Sequence, residues 1–454
     1  MSTLTLLRSN SPPPAAKSTG LPVLKETGVG NYFVANYPPF GFWKAEATPD
    51  LHAALSRPPR PGAELGLYTH IPFCRKRCHF CYFRVYTDKN AQDIRGYINA
   101  VLAELADYAT RPAIAGRKPT FINFGGGTPS YLSVDQLRVL TDGMKRILPW
   151  DNAREIAIEG EPGTLNDLKL AAMRDMGFTR LSLGVEHFDD HVLEINGRAH
   201  RSKEVHRAYD FARKIGFPQI NIDLIAGMVE ETEDKWADTV AKAIELSPDS
   251  VTIYQMEIPY NTTIYKEMKA EGRLVAPVAD WETKRRWVDY AFGEFERAGY
   301  SVATTTTVVK KPDVEFAYRT GLFDGTDILS CGVSSFGHIS GVNYQNQHDF
   351  QPYIDAVAAG QLPTHRVYAL SNDENYIREF ALQLKAGSVA VAPFLAKFGR
   401  HPAEQFANPL AVLRDRGVLT ESPTHIGLTR PGLMQADRLI FEFFLPHHQT
   451  GRFA

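Results

Sequence analysis

The sequence predicts an α/β fold, a parallel sheet curved into a barrel or partial barrel with helices over its outer face. Two patterns carry this expectation. Six short apolar segments each precede an amphipathic helical one, and glycines, cysteines and carboxylates gather where the apolar segments end. Alternating strand and helix signals argue for parallel β/α units, and such sheets keep their sites at the carboxyl ends of the strands.

Each unit can be read in order. "LGLYTHI" precedes a helix from Asp93 to Ala109, and "TFINF" precedes one from Ser133 to Ile147, where Ser133 and Gln136 form a capping-box pattern. "EIAIEGEP" leads to a helix closed by Gly177, and "RLSLGVEHF" to one from Ser202 to Ile215, closed by Gly216. "QINIDLIAG" leads to a helix from Thr232 to Leu246, and "SVTIYQMEI" to one from Asp280 to Ala298.

At 454 residues, the chain exceeds one ordinary core, so smaller units should flank the barrel. With 50 basic and 52 acidic residues and a net charge of −2, it has no electrostatic footprint for nucleic acid or a membrane surface. No run suggests a membrane span and the opening residues lack a secretory signal, so a cytoplasmic location is expected. The division read from the sequence is a disordered tail (1–22), an aromatic and proline-rich arm (23–63), the barrel (64–300), an extension or connecting segment (301–364) and a C-terminal unit (365–454). The arm suits either a lid across the barrel mouth or packing on the barrel exterior. In the last unit, two helical stretches and a small hairpin suggest a winged helix, whose mixed charge argues against DNA recognition.

The chemistry starts in "YTHIPFCRKRCHFCYF", where Cys74, Cys78 and Cys81 fall within eight positions directly after the first strand. In a reducing compartment such a cluster signals metal or redox chemistry rather than disulfides. Structural zinc usually takes four closed ligands, whereas three thiolates at this spacing suit three irons of a 4Fe-4S cluster and leave the fourth iron open. On the same rim, "FGGGTPSYL" offers Gly125, Gly126 and Gly127 for close backbone approach to a ligand. Glu159 and Glu161, Glu186 and Asp223 end the third, fourth and fifth strands. Carboxylates there suit ribose hydroxyls, ammonium groups or a sulfonium; a tight turn and solvated surface charge are the plainer readings.

Taken together, "YTHIPFCRKRCHFC", "GGGTPSYL", "IEGEPGTL", "RLSLGVEHF", "NGRAH", "NIDLIAGM" and "DILSCGVSSFG" resemble, in order and spacing, the radical S-adenosylmethionine superfamily. The similar branch contains oxygen-independent coproporphyrinogen III oxidase, related haem chaperones and the class C radical methylases. The resemblance runs from Tyr68 to the C-terminus and implies a partial (β/α)6 barrel of TIM type, capped by a mainly helical, winged-helix-like domain.

The resemblance also implies roles. Cys74, Cys78 and Cys81 would ligate a 4Fe-4S cluster whose open iron is chelated by S-adenosylmethionine, which reductive cleavage turns into a 5'-deoxyadenosyl radical. Tyr68, Gly126, Glu159, Glu257 and Phe336 match positions that hold this first cofactor. Phe80, Gly127, Thr128, Glu186, Arg198 and Asp223 match positions that hold a second molecule, with Arg198 suited to its carboxylate. Electrons would come from a flavodoxin or ferredoxin, and the substrate would be a small molecule such as a tetrapyrrole, a quinone or a natural-product ring.

This sequence departs from the resembling oxidases in two places. Phe83 stands where they carry a further cysteine, and Glu186 where the family carries glutamine. The first departure favours methyl or methylene transfer to an sp2 carbon over oxidative decarboxylation of coproporphyrinogen. In the methylase reading, Glu186 belongs with the cysteines among the catalytic residues. Cys331 takes a usually apolar position and reads as a buried small hydrophobe. A haem chaperone is the lesser alternative, with His187, His191, His200 or His338 as axial ligands.

Overall fold

The computed structural model describes residues 34–259, 261–271 and 278–449. The expected tail at 1–22 lies outside them. Six strands pair in chain order, all parallel: β1 (Leu65–Ile71), β2 (Phe121–Gly126), β3 (Glu155–Gly160), β4 (Arg180–Glu186), β5 (Gln219–Ala226) and β6 (Ser250–Gln255). Each is the apolar segment expected from the sequence. Their residues are buried almost without interruption, as happens when helices cover one face of a parallel sheet and packed side chains fill the other.

The intervening helices start where capping chemistry directs. Ser133 and Gln136 close a reciprocal box at the start of Val134–Ile147, Thr232 caps Glu233–Leu246, and Asp280 caps Trp281–Arg297. The first crossover helix spans Ala91–Thr110, two residues earlier than expected, because Asn90 accepts from Gln92 and Asp93 and makes its own box.

The sheet does not stop at six strands. β7 (Ser301–Val302) and β8 (Thr307–Val309) add antiparallel beyond β6. On the other side β9 (Asp327–Cys331) runs parallel to β1, and β10 (Phe336–Ile339), β11 (Val342–Asn346) and β12 (Thr364–Ala369) continue antiparallel. The result is one twelve-stranded sheet with β12 and β7 at its ends. The boundary expected at 364/365 therefore falls within β12, and the C-terminal unit starts beyond it.

That unit carries helices Asn372–Leu384, Val391–Phe398, Pro402–Gln405 and Ala407–Asp415, with a three-stranded sheet of β13 (Ser388–Ala390), β15 (His425–Leu428) and β14 (Leu419–Glu421) in that order. Its core is separate from the barrel's and is rich in aromatics. Phe380 is fully buried and meets Phe394, Phe406 and Phe443 with ring centroids 4.5 to 5.8 Å apart. Truncating such a residue to alanine costs about 3–5 kcal/mol.

The arm ties the two cores together. Lys44 and Val367 exchange two backbone hydrogen bonds of 2.9 Å, which adds the arm to β12, while Val34 and Tyr37 join the C-terminal core. Helix Thr48–Leu55 buries Leu51, Ala54 and Leu55 in the main core. The described part of the arm therefore packs along β12 and against both cores.

Candidate active site

A cavity of about 430 Å3 opens at the carboxyl ends of the parallel strands. Its floor is the cysteine loop, held by backbone on two sides. Cys74 N donates to Tyr86 O and Tyr86 N to Pro72 O, while His79 N donates to Asn196 O beyond β4. Arg77 closes the loop internally through a 2.9 Å bond to Cys81 O. All three thiols line the cavity. Burial pushes Cys74 up to about 11 and Cys81 to about 12, so both are protonated unless a metal displaces the proton. Cys331 is absent from this group: it is fully buried in β9 beside the main core. Three converging thiols without a fourth suit a cluster with one open metal.

The glycines serve close approach. Gly126 has φ +116°, which a β-carbon disfavours, and a β-carbon there would stand 2.6 Å from the His70 ring. One on Gly127 would lie 3.1 Å from Cys74 Sγ. Beside them, Thr128 Oγ1 is 3.3 Å from Cys74 Sγ. Glu159 Oε2 accepts from Gly126 N at 3.0 Å, fixing the carboxylate at the end of β3.

Glu159, Glu186 and Asp223 stand half-buried around the opening, with Glu161 buried beside them. Burial raises Glu159 to about 7, helped by the Asp223 charge, and raises Asp223 itself to about 6 against the hydrogen bond from Asn221. Glu186 rises to about 7 by burial, with Arg198 opposing and Asp223 adding to the effect. A group of carboxylates held this high favours a cationic ligand, whose arrival restores their charged forms.

Glu186 owes its aim to an irregularity. It sits at φ +66°, where the β4–β5 register shifts between Gly184 and Glu186. The extra residue of a bulge redirects a side chain into a site. Arg198 answers it at 3.5 Å, reaching also to Cys78 Sγ at 3.3 Å and to Gly184 O. Its Nε is buried without a partner among the described residues.

Of the residues anticipated from sequence, Tyr68, Phe80, Gly126, Gly127, Thr128, Glu159, Glu186, Arg198, Asp223 and Glu257 line the cavity with the cysteines. Phe336 does not. Starting β10, it stacks on Phe40 of the arm at 4.6 Å and meets Trp43 edge-on, so it serves packing. The four histidines offered as haem ligands also lie elsewhere. His187 meets Glu231 and Thr239, the exposed His191 pairs with Glu230, His200 contacts Glu161 and Val185 O, and His338 contacts Asn343.

The structure adds Arg75, Tyr82, Tyr254 and Asp437, which sequence reasoning missed, and sets Phe83, noted in the sequence only as a departure, at the mouth. Arg75 reaches Ala199 O and Glu161, securing the loop to the segment after β4. Tyr82 and Phe83 stand exposed at the mouth with ring centroids 4.6 Å apart, and Tyr254 is exposed beside them. Asp437 arrives from the C-terminal unit, held at 2.7 Å by Lys385. No described residue of the arm lines the cavity.

Comparison with known proteins agrees with this geometry. Residues 68–243 match the model of the radical SAM superfamily. The heme chaperone HemW of Bacillus subtilis (strain 168) is 29% identical over 83% of this chain and 98% of its own length. The oxygen-independent coproporphyrinogen III oxidase of Escherichia coli (strain K12) is 28% identical over 80% of each chain. The solved structure of coproporphyrinogen III oxidase HemN from Escherichia coli, described as a radical SAM enzyme, superposes with a TM-score of 0.79 at 25% identity, covering 91% of this chain and 96% of that one. Family membership implies a 4Fe-4S cluster and S-adenosylmethionine as cofactors. Residues 68–243 thus match the radical SAM superfamily, and the similarities across most of the chain support the branch of the coproporphyrinogen oxidase-like proteins.

Proposed function

We propose that this chain is a radical enzyme that uses two molecules of S-adenosylmethionine to transfer a methyl or methylene group to an sp2 carbon of a planar ring. One observation carries the reading: three thiols and the half-buried carboxylates of Glu159, Glu186 and Asp223 share a single cavity with the half-buried guanidinium of Arg198. That is more cation-binding capacity than one sulfonium requires.

Cys74, Cys78 and Cys81 hold the cluster. When bound, the cluster and S-adenosylmethionine supply a 5'-deoxyadenosyl radical, given electrons from a flavodoxin- or ferredoxin-like donor. Tyr68, Gly126, Glu159 and Glu257 hold the first cofactor, with the Glu159 carboxylate turned to hydroxyl groups. Phe80, Gly127, Thr128, Glu186, Arg198 and Asp223 hold the second. There Arg198 takes a carboxylate while Glu186 and Asp223 balance positive charge. The exposed rings of Tyr82, Phe83 and Tyr254 offer flat apolar faces to the substrate at the mouth.

A second reading is oxidative decarboxylation of coproporphyrinogen III, favoured by the similarity to the Escherichia coli oxidase across most of both chains. The similarity to HemW, a heme chaperone, keeps haem among the ligands to test. Anaerobic incubation of the reconstituted protein with methyl-deuterated S-adenosylmethionine, a reductant and candidate rings separates these readings. Deuterium in the product together with S-adenosylhomocysteine supports methyl transfer. Carbon dioxide from coproporphyrinogen without deuterium transfer supports the second reading, and stoichiometric haem binding without turnover supports a chaperone. Absence of 5'-deoxyadenosine under every condition contradicts both enzymatic readings.

A further inference from the structure

Away from the cavity, the C-terminal segment brings two consecutive histidines to the start of helix Asn372–Leu384. Ligand atoms of Glu374, His447 and His448 all lie within 4.8 Å of one another. His448 Nε2 is 3.7 Å from Glu374 Oε1. Both residues are buried while His447 is exposed, which leaves an entry path from solvent.

The surrounding groups orient these donors. Tyr37 Oη lies 2.8 Å from His448 Nδ1, so a tautomer that donates Nδ1–H to the phenol turns the Nε2 lone pair toward Glu374. Burial disfavours the imidazolium form of His448, and the neighbouring His447 adds to this. The Glu374 carboxylate is held by Tyr368 Oη on one oxygen and by Ser371 N at 2.8 Å on the other. A phenol behind a histidine and a hydroxyl and an amide behind a carboxylate are the outer-shell supports that fix metal ligands.

We propose that Glu374, His447 and His448 form a second metal site, for a borderline divalent cation of the zinc type. Two imidazoles and one carboxylate disfavour calcium and magnesium, which prefer oxygen donors, and suit zinc with one position left for water or Tyr368. With Tyr368 Oη, 3.3 Å from His448 Nε2, closing the fourth position, the role is structural. Tyr37 comes from the arm, Tyr368 from β12, Glu374 from the first helix of the C-terminal unit and the histidines from the end of the described chain. An ion there clamps all four, and Asp437 of the same unit reaches the cavity wall.

The test uses the full chain with its iron cluster assembled, titrated with Zn2+ anaerobically, with zinc, iron and sulfide measured after desalting and thermal unfolding followed in parallel. One zinc per chain is expected, with unchanged iron and sulfide and a raised melting temperature. H447A removes the exposed ligand, and should weaken zinc binding tenfold or more. Y37F, which removes the hydroxyl behind His448 together with its bond to the Leu445 backbone, should weaken it about tenfold, the low end of the usual outer-shell effect. Zinc that fails to bind stoichiometrically, displaces iron, or binds H447A as tightly as the parent overturns the proposal.

Discussion

Arg198 Nη1 stands 3.3 Å from Cys78 Sγ, and the same guanidinium lies 3.5 Å from Glu186. One side chain thus joins the cysteine loop to the carboxylate group at the strand ends. A lysine keeps the charge and loses the fork. R198K should retain its iron and sulfide while its affinity for S-adenosylmethionine falls about tenfold or more, equal to the loss of roughly 1.4 kcal/mol. Equilibrium binding beside iron analysis checks this, and unchanged affinity would show that the fork contacts no ligand.

Glu186 gives a pH signature. Its carboxyl is raised to about 7, chiefly by burial, and the anion is the form that balances a cation. Cofactor turnover, as kcat/KM, should rise as pH increases through about 7. E186Q, which installs the residue usual in the resembling family, should flatten part of that rise, with Glu159 and Asp223 providing the rest. Superimposable profiles for the two proteins would remove Glu186 from the site.

Gly126 combines a left-handed backbone with close approach. G126A puts a β-carbon against the His70 ring at a φ that side chains avoid, so a destabilisation on the order of 2 kcal/mol is expected. Cofactor binding should fall as well, since Gly126 N is the donor that fixes Glu159. Urea unfolding and binding measured on one preparation test both effects.

His70 should make the fold sensitive to acid. Burial lowers its pKa to about 4, while the unfolded imidazole protonates near 6.5. The unfolded state therefore binds more protons between these values, and stability contributed by neutral His70 is lost as pH falls through that window. The contribution reaches about 3 kcal/mol at full development. His70 Nε2 has no partner among the described residues while Nδ1 lies 3.1 Å from Tyr68 Oη, so H70F should cost that hydrogen bond at pH 7.5 and reduce the slope of stability against pH between 6.5 and 4.5. Equal slopes in chemical denaturation would refute the assignment.

Much of the barrel was legible because its signals are local and repeated. Alternating apolar runs and helices capped by Ser133, Thr232 and Asp280 specify β/α units without reference to distant residues. The flanking strands were not legible: β7 and β8 have two and three residues, and their identity depends on β8 pairing with β6 and β7 with β8. At the site, the cysteine spacing announced itself, as did the strand-end carboxylates. Asp437 joins the cavity through tertiary packing that no periodicity encodes, and Phe336 matched a motif while its ring packs on Phe40. The left-handed bulge at Glu186 is equally silent in sequence, since any residue there would read as the last of a strand.

Iron and sulfide content in cysteine variants purified without oxygen tests the account most directly. The parent chain and C331A should each bind about four irons and four sulfides. The triple variant C74A/C78A/C81A should bind neither, lose the reduced paramagnetic signal and form no 5'-deoxyadenosine. A parent chain lacking iron, or a triple variant that keeps its iron and its spectrum, would contradict the central claim.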